Sequence, residues 1–273
     1  MLTALIALAL GAAPQQPAIT FWTDAPSGHA QVWAMNEDGT GRARLTNLYS
    51  AKRGDWSPDG RRLVFDGRFY RTLFDFDIGV MNADGSGMRR ITRGPERDII
   101  ASWSPDRRWI LFTRLKEEGG VPDLWLVRPT GTGAHLLVRG GSSPSWSPEG
   151  RRIAFEAPGG VWTVSAEGRG RRKLVSGEIG EPSWSPNGRR LAYTSWQHGQ
   201  SEIYVANADG TGARRLTRNG VDDFGASWSP DGTRILYTHG TDGAHQVYSM
   251  NSDGSAKTNL SHNRNDEWAT SWR

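Results

Sequence analysis

DWSPDG, residues 55–60, returns in close copies along the whole chain. Tryptophans in that context stand at Trp56, Trp103, Trp146, Trp184, Trp228 and Trp272, at intervals of 47, 43, 38, 44 and 44 residues. A period of this size is that of one four-stranded propeller blade. Five copies continue as SPDG (57–60), SPDR (104–107), SPEG (147–150), SPNG (185–188) and SPDG (229–232), and the sixth stops at SWR. Serine opens a turn, proline presets φ at its second position, and an acid or asparagine follows. Glycine then supplies the positive φ of a tight hairpin with a bulge. Arg107 replaces that glycine in one copy, which predicts the most strained of these turns.

An apolar run follows every turn, with an aromatic at one register: Phe21, Phe65, Phe112, Phe155, Tyr193 and Tyr237. After a variable loop comes a third run (31–35, 77–81, 123–127, 161–164, 202–206, 246–250). A second glycine turn of the NADGTG type and a fourth run ending like RRLT complete the unit. Each unit therefore reads as four short strands. The N-terminal unit has strands two to four and no preceding WSPDG, whereas the C-terminus ends in a lone first strand, ATSWR. Joined, they complete a sixth blade. The expectation is an all-β, six-bladed β-propeller of four-stranded antiparallel blades, closed by the C-terminal strand so that no edge is left open. The tryptophans are expected to fill the space between neighbouring blades.

Composition agrees. Thirteen tryptophans and 34 glycines in 273 residues suit many short strands and tight turns. There is no cysteine, hence no disulfide framework or thiolate metal site. The net charge of +4 rests on arginines in the repeated context, with no dense basic run interleaved with aromatics, so no nucleic-acid partner is expected. Residues 1–13, MLTALIALALGAA, are too short to span a bilayer and read as a signal peptide, though without a basic n-region; a helical or disordered tail is the other reading. The domain division is 1–13 leader or tail and 14–273 a single propeller domain.

Over residues 19–273 the WSPDG turn, the following strand and the NADGTG-RRLT segment resemble the WD40-like (PD40) repeat of the TolB family. That family comprises periplasmic six-bladed propellers of the Tol–Pal cell-envelope system. Its members carry an N-terminal α/β domain before the propeller, and here a blade follows the leader directly, a departure that bears on a Tol role. The same repeat builds the propeller of prolyl-oligopeptidase-like hydrolases, but the sequence has no hydrolase domain and no G-x-S-x-G elbow. The resemblance implies a periplasmic or secreted, monomeric binding module with a protein or peptide partner, no membrane span and no cofactor.

Loops alternate between the two faces of such a disc. The stereotyped turns share one face, which reads as scaffold, and the NxDG copies lack the ligand spacing of a calcium loop. The irregular loops share the other face, where binding usually resides. Asp98, Asp223 and Glu267 each stand five residues before a blade tryptophan and are expected to crowd the mouth of the central channel, with Asp222, Asp266 and Glu181 close by. Gathered there, they would attract a cation or a basic partner group; alternatively each caps its own loop. The segment 68–77 offers Phe69, Tyr70 and Phe74 as anchors of a gripping flap, or as aromatics folded onto their own blade. Trp268, His198 and His239 complete the candidate partner-binding set. No metal site is expected from the histidines, which lack paired spacing.

Three functions follow. The first is a non-enzymatic propeller that grips a protein or peptide on the irregular face. The second binds a small ligand or carbohydrate, with Trp22, Trp196 and Trp268 as stacking platforms. The third is a lyase or hydrolase with its site in the funnel, which a histidine–acid pair inside one deep pocket would favour.

Overall fold

The computed structural model describes residues 18–24, 29–70, 76–116, 120–241, 243–263 and 265–273, and not the side chain of His198. The leader 1–13 and Phe74 therefore lie outside the described residues. Six four-stranded antiparallel sheets make the ring. Blade 1 joins the C-terminal strand Glu267–Trp272 to Ile19–Asp24, Ala30–Met35 and Ala43–Arg44, as the sequence predicts. Blades 2 to 6 follow in chain order. Their innermost strands are Ser50–Trp56, Arg97–Trp103, Ser142–Trp146, Ile179–Trp184 and Asp222–Trp228.

The tryptophans lie between blades. Trp103 of blade 3 packs with Val64, Ile78 and Val80 of blade 2, and Trp228 of blade 6 packs with Ala192, Ile203 and Val205 of blade 5. Trp272 joins blades 6 and 1 through Leu236, Val247 and Phe21. The register aromatics are buried in the same clusters. Six inter-blade cores thus take the place of one central core, consistent with repeats that bury their faces only against neighbours.

The repeated motifs are local hydrogen-bond devices. In the SPDG turn, the Ser57 hydroxyl donates to Asp59 Oδ1, Arg61 N–H donates to the same oxygen, and Arg62 N–H donates to Ser57 Oγ. Arg107 adopts φ +63° where its counterparts are glycine, as its position predicts, and its guanidinium pairs with Asp59 of the preceding blade. In the NxDG turns, a side chain would collide with the neighbouring blade. A Cβ on Gly85 would sit 2.8 Å from the Leu45 carbonyl oxygen, and one on Gly210 would meet that of Leu174.

The RRLT threonine ends the fourth strand by substituting for backbone. Thr92 Oγ1 accepts from Ile78 N–H and donates to Asp77, while Arg90 pairs with Asp77. Thr217, Glu202 and Arg215 repeat the arrangement in blade 5, and Thr46 with Gln31 repeats it in blade 1. Among the described residues, no helix is long and apolar enough to cross a membrane.

Candidate functional site

A cavity of about 350 Å3 runs along the axis of the ring. Its wall is built by the residues just before each blade tryptophan, because the innermost strands bulge there. Three residues before the tryptophan, Arg53, Ile100, Ser143 and Glu181 take φ of +48°, +53°, +49° and +50°, with Gly225 at +69° in blade 6. Left-handed backbone is costly for Ile100, whose side chain is β-branched. The cost is offset by a repeated bond. The bulge N–H of Ile100, Ser143, Gly225 and Ala269 donates, respectively, to Asp66 Oδ1 (3.3 Å), Thr113 Oγ1 (3.2 Å), Thr194 Oγ1 (3.2 Å) and Thr238 Oγ1 (3.0 Å) of the preceding blade.

Trp22 breaks that pattern. It occupies the register of Asp66, Thr113, Thr194 and Thr238, offers no acceptor, and stacks on Trp268 with ring centroids 3.7 Å apart and planes at 7°. Lys52 Nζ lies 4.3 Å from the Trp22 centroid, and burial lowers the Lys52 pKa. His245 lies against Trp268, with Phe224 edge-on to His245. Trp22, Trp268 and Phe224 all line the cavity at the end nearer the irregular loops. In the neighbouring blade 5, Glu181 accepts from Thr194 Oγ1 and from the N–H of Gly225, the residue after Phe224, and burial together with Glu181 raises the pKa of Glu156.

Nearer the turns the wall is polar. Ser102, Ser145, Ser183 and Ser227 precede their tryptophans and line the cavity, and Asp55 holds the same register in blade 2. Asp55 accepts from Ser271 Oγ (2.8 Å) and from Trp103 N–H (3.2 Å), and burial pushes its carboxyl up to about 6. No salt bridge to it is present among the described residues.

The expected ring of acids at the channel mouth is not formed. Asp98 is 1% exposed and bonds Arg114 through both oxygens. Glu267 pairs with Arg42 and accepts from Asn263, whereas Asp223 accepts from Asn219 and from His239 Nδ1 (2.6 Å). None of the three lines the cavity. The physical reason is the bulge, which turns the last residues of each strand to the axis and the fifth residue back into its own blade. Asp222 and Asp266 stand one residue earlier and hold the start of the third strand, accepting from Ser201 N–H and His245 N–H. Of the six acids only Glu181 reaches the cavity.

His198 and His239 lie in second strands, Arg190–His198 and Arg234–Gly240, rather than in loops, because these strands run further than their apolar runs suggest. Among the described residues two histidine–acid pairs occur, His239–Asp223 and His245–Asp266, but neither lines the cavity. Phe69 packs on Phe65 within its own blade, while Tyr70 is 62% exposed beside Arg90. Trp196 is exposed and away from the cavity wall. No group of three or more metal-ligating side chains occurs among the described residues. Arg53, Asp55, Phe224 and Glu156 escaped sequence reasoning. For Asp55 the signal was its place in a column otherwise filled by serine.

The comparisons with known proteins bear on the fold. Residues 142–273 match the family model of the TolB beta propeller domain, PD40. The Tol-Pal system protein TolB of Rhizorhabdus wittichii is 41% identical over 75 residues, covering 27% of this chain and 17% of that protein. The match thus spans about a sixth of the relative's length. The crystal structure of TolB from Acinetobacter baumannii superposes with a TM-score of 0.82 at 16% identity, over 94% of this chain and 66% of that one. An oligogalacturonate lyase in complex with manganese shares the ring more loosely, with a TM-score of 0.55 at 14% identity over 89% of this chain and 72% of that one. The repeat, the matched domain and the superposed ring agree: this chain is a TolB-like six-bladed β-propeller of PD40-type repeats.

Proposed function

We propose that the protein is a partner-binding propeller of the cell envelope that takes a protein or peptide segment at the loop-face end of its axial cavity. One observation carries this reading: where the other blades hold a hydrogen-bonding side chain, blade 1 holds Trp22, stacked on Trp268 beside Phe224 in the cavity wall. Aromatics clustered at the centre of a face, here the buried Trp22 with the half-buried Trp268 and Phe224, are the usual anchors of protein recognition. Glu181, Tyr70 and Phe69 belong to the proposed contact set, whereas Asp98, Asp223 and Glu267 shape the loops around it through their buried pairs. A name of the form Tol-Pal system protein among the relatives supports an envelope setting. On this reading residues 1–13 are a leader that delivers a single propeller domain, 14–273, to the periplasm.

The test is a pull-down from envelope extract with the full chain as bait, beside a Phe224→Ala/Trp268→Ala variant and a Trp196→Ala control. A protein retained by the wild type and the control and lost by the double variant supports the site. Equal retention by all three baits removes it. Cell fractionation decides the compartment: a purely cytoplasmic pool contradicts the envelope setting.

A further inference from the structure

The face opposite the cavity's aromatic end carries an unassigned arginine ring. Backbone bonds from Ala83 to Arg61, Ala166 to Arg151 and Ala208 to Arg189 put both kinds of glycine turn on this face. The inner turns touch in sequence around the axis. Arg273 donates to the Gly60 carbonyl (2.7 Å), Arg107 pairs with Asp59, and Gly150, Gly188 and Gly232 lie against Pro105, Pro148 and Pro186 of the preceding turns. Arg234 over Trp272 completes the circle.

The five inner turns, 57–62, 104–109, 147–152, 185–190 and 229–234, hold nine arginines against four carboxylates and no lysine. That excess of five exceeds the net charge of the entire chain, +4. Arg61, Arg62, Arg108, Arg151, Arg189 and Arg190 are exposed, and their side chains make no ion pair or hydrogen bond among the described residues. On the other face several cations are paired, although Arg93 and Arg218 are exposed there as well. Arg114 pairs with Asp98, Lys116 with Asp123, and Arg53 approaches Asp66.

From this juxtaposition we propose that the turn face docks on an anionic phospholipid surface, the guanidinium ring contacting headgroup phosphates while the aromatic end of the cavity points away. Guanidinium forks match phosphate geometry in a way that ammonium groups do not. Near-identical turns cannot discriminate one sequence from another, but they suit a flat target that repeats. A polybasic face gains partition into an anionic leaflet by about fivefold per arginine, screened by salt. The proposal is independent of the partner site, because the two lie on opposite faces.

The test is co-sedimentation of the full chain with phosphatidylglycerol/phosphatidylethanolamine vesicles and with pure phosphatidylcholine vesicles, at low and high salt. The wild type should sediment with the anionic vesicles at low salt only. Arg61→Ala/Arg62→Ala/Arg189→Ala/Arg190→Ala should lower that partition roughly 10²- to 10³-fold, with its folding checked by thermal melting. If that variant fails to fold, Arg108→Ala/Arg151→Ala should lower it roughly 25-fold. Arg93→Ala/Arg218→Ala on the loop face should bind as the wild type. No binding to anionic vesicles, equal binding to the neutral ones, or equal loss in the loop-face variant overturns the assignment. Phe224→Ala/Trp268→Ala should still sediment, which separates this proposal from the partner reading.

Discussion

Replacing Asp55 by the serine that fills the same register in the other five blades should stabilise the protein at neutral pH and do little at pH 4. The carboxyl is pushed from 3.8 to about 6 by burial, with only the Ser271 hydroxyl and backbone N–H groups opposing it. The unfolded chain releases that proton near 3.8 and the folded chain keeps it until about 6, so the folded state binds more protons across this window. Its stability therefore falls as pH rises from about 4 to about 6, and the loss persists above. Two pK units correspond to at most about 3 kcal/mol. Asp55 is only half-buried by exposed area and faces a cavity that water can enter, so about 1–2 kcal/mol is expected. Serine keeps the hydrogen bond to the next blade, since Ser145 Oγ already accepts from Trp184 N–H at 3.3 Å. Thermal melts of wild type and Asp55→Ser from pH 4 to pH 8 should diverge by roughly 2–8 °C, the variant higher at the alkaline end. Asp66, whose pKa is also raised to about 6, is common to both proteins and cancels in the difference. A variant that melts lower than wild type by the same margin at every pH would refute the reasoning.

Trp184→Ala should lower stability by about 3–5 kcal/mol in denaturant titration, because the indole fills the gap between blades 4 and 5. Gly210→Ala should cost roughly 2 kcal/mol or more, from positive φ and the Leu174 carbonyl, whereas Gly220→Ala has nothing within 4 Å and should be neutral or slightly stabilising; paired melts compare them. Glu202→Gln should cost only about 1 kcal/mol, since Gln31 accepts from its threonine in blade 1, while Glu202→Ala should cost about 3–5 kcal/mol by stranding Arg215. Chemical denaturation of both variants measures the gap.

The ring was legible because its determinants are local and recur: proline, acid and glycine specify each turn, and the spacing of Trp56, Trp103 and their counterparts counts the blades. The closure followed from the unpaired ATSWR and ITFW strands, which the structure joins through pairs such as Ile19–Trp272. Side-chain direction within a strand was not legible. Simple alternation aims Asp98, Asp223 and Glu267 at the axis, but the bulge at Arg53, Ile100, Ser143 and Glu181 reverses the outcome, and no residue type marks a bulge built of Arg, Ile, Ser and Glu. The partner of each buried acid was equally hidden, because Arg42 meets Glu267 across 225 residues of chain. What the sequence did contain, in aligned repeats, was the pair of exceptions at Trp22 and Asp55.

Closure through Glu267–Trp272 also dictates an order of events. The strand Ile19–Asp24 leaves the ribosome well before its inner partner, and that edge has no partner until Glu267–Trp272 arrives. Blades 2 to 6 can form in passing, but the ring stays open until that strand is made, with an unpaired edge on blade 1 and an uncovered apolar face, Leu236 and Val247, on blade 6. Such a chain should be slow to commit and sensitive to anything that holds its ends apart, including transit through a narrow pore. That closing step brings together residues about 250 positions apart, a loop-closure cost met only once the other five blades exist.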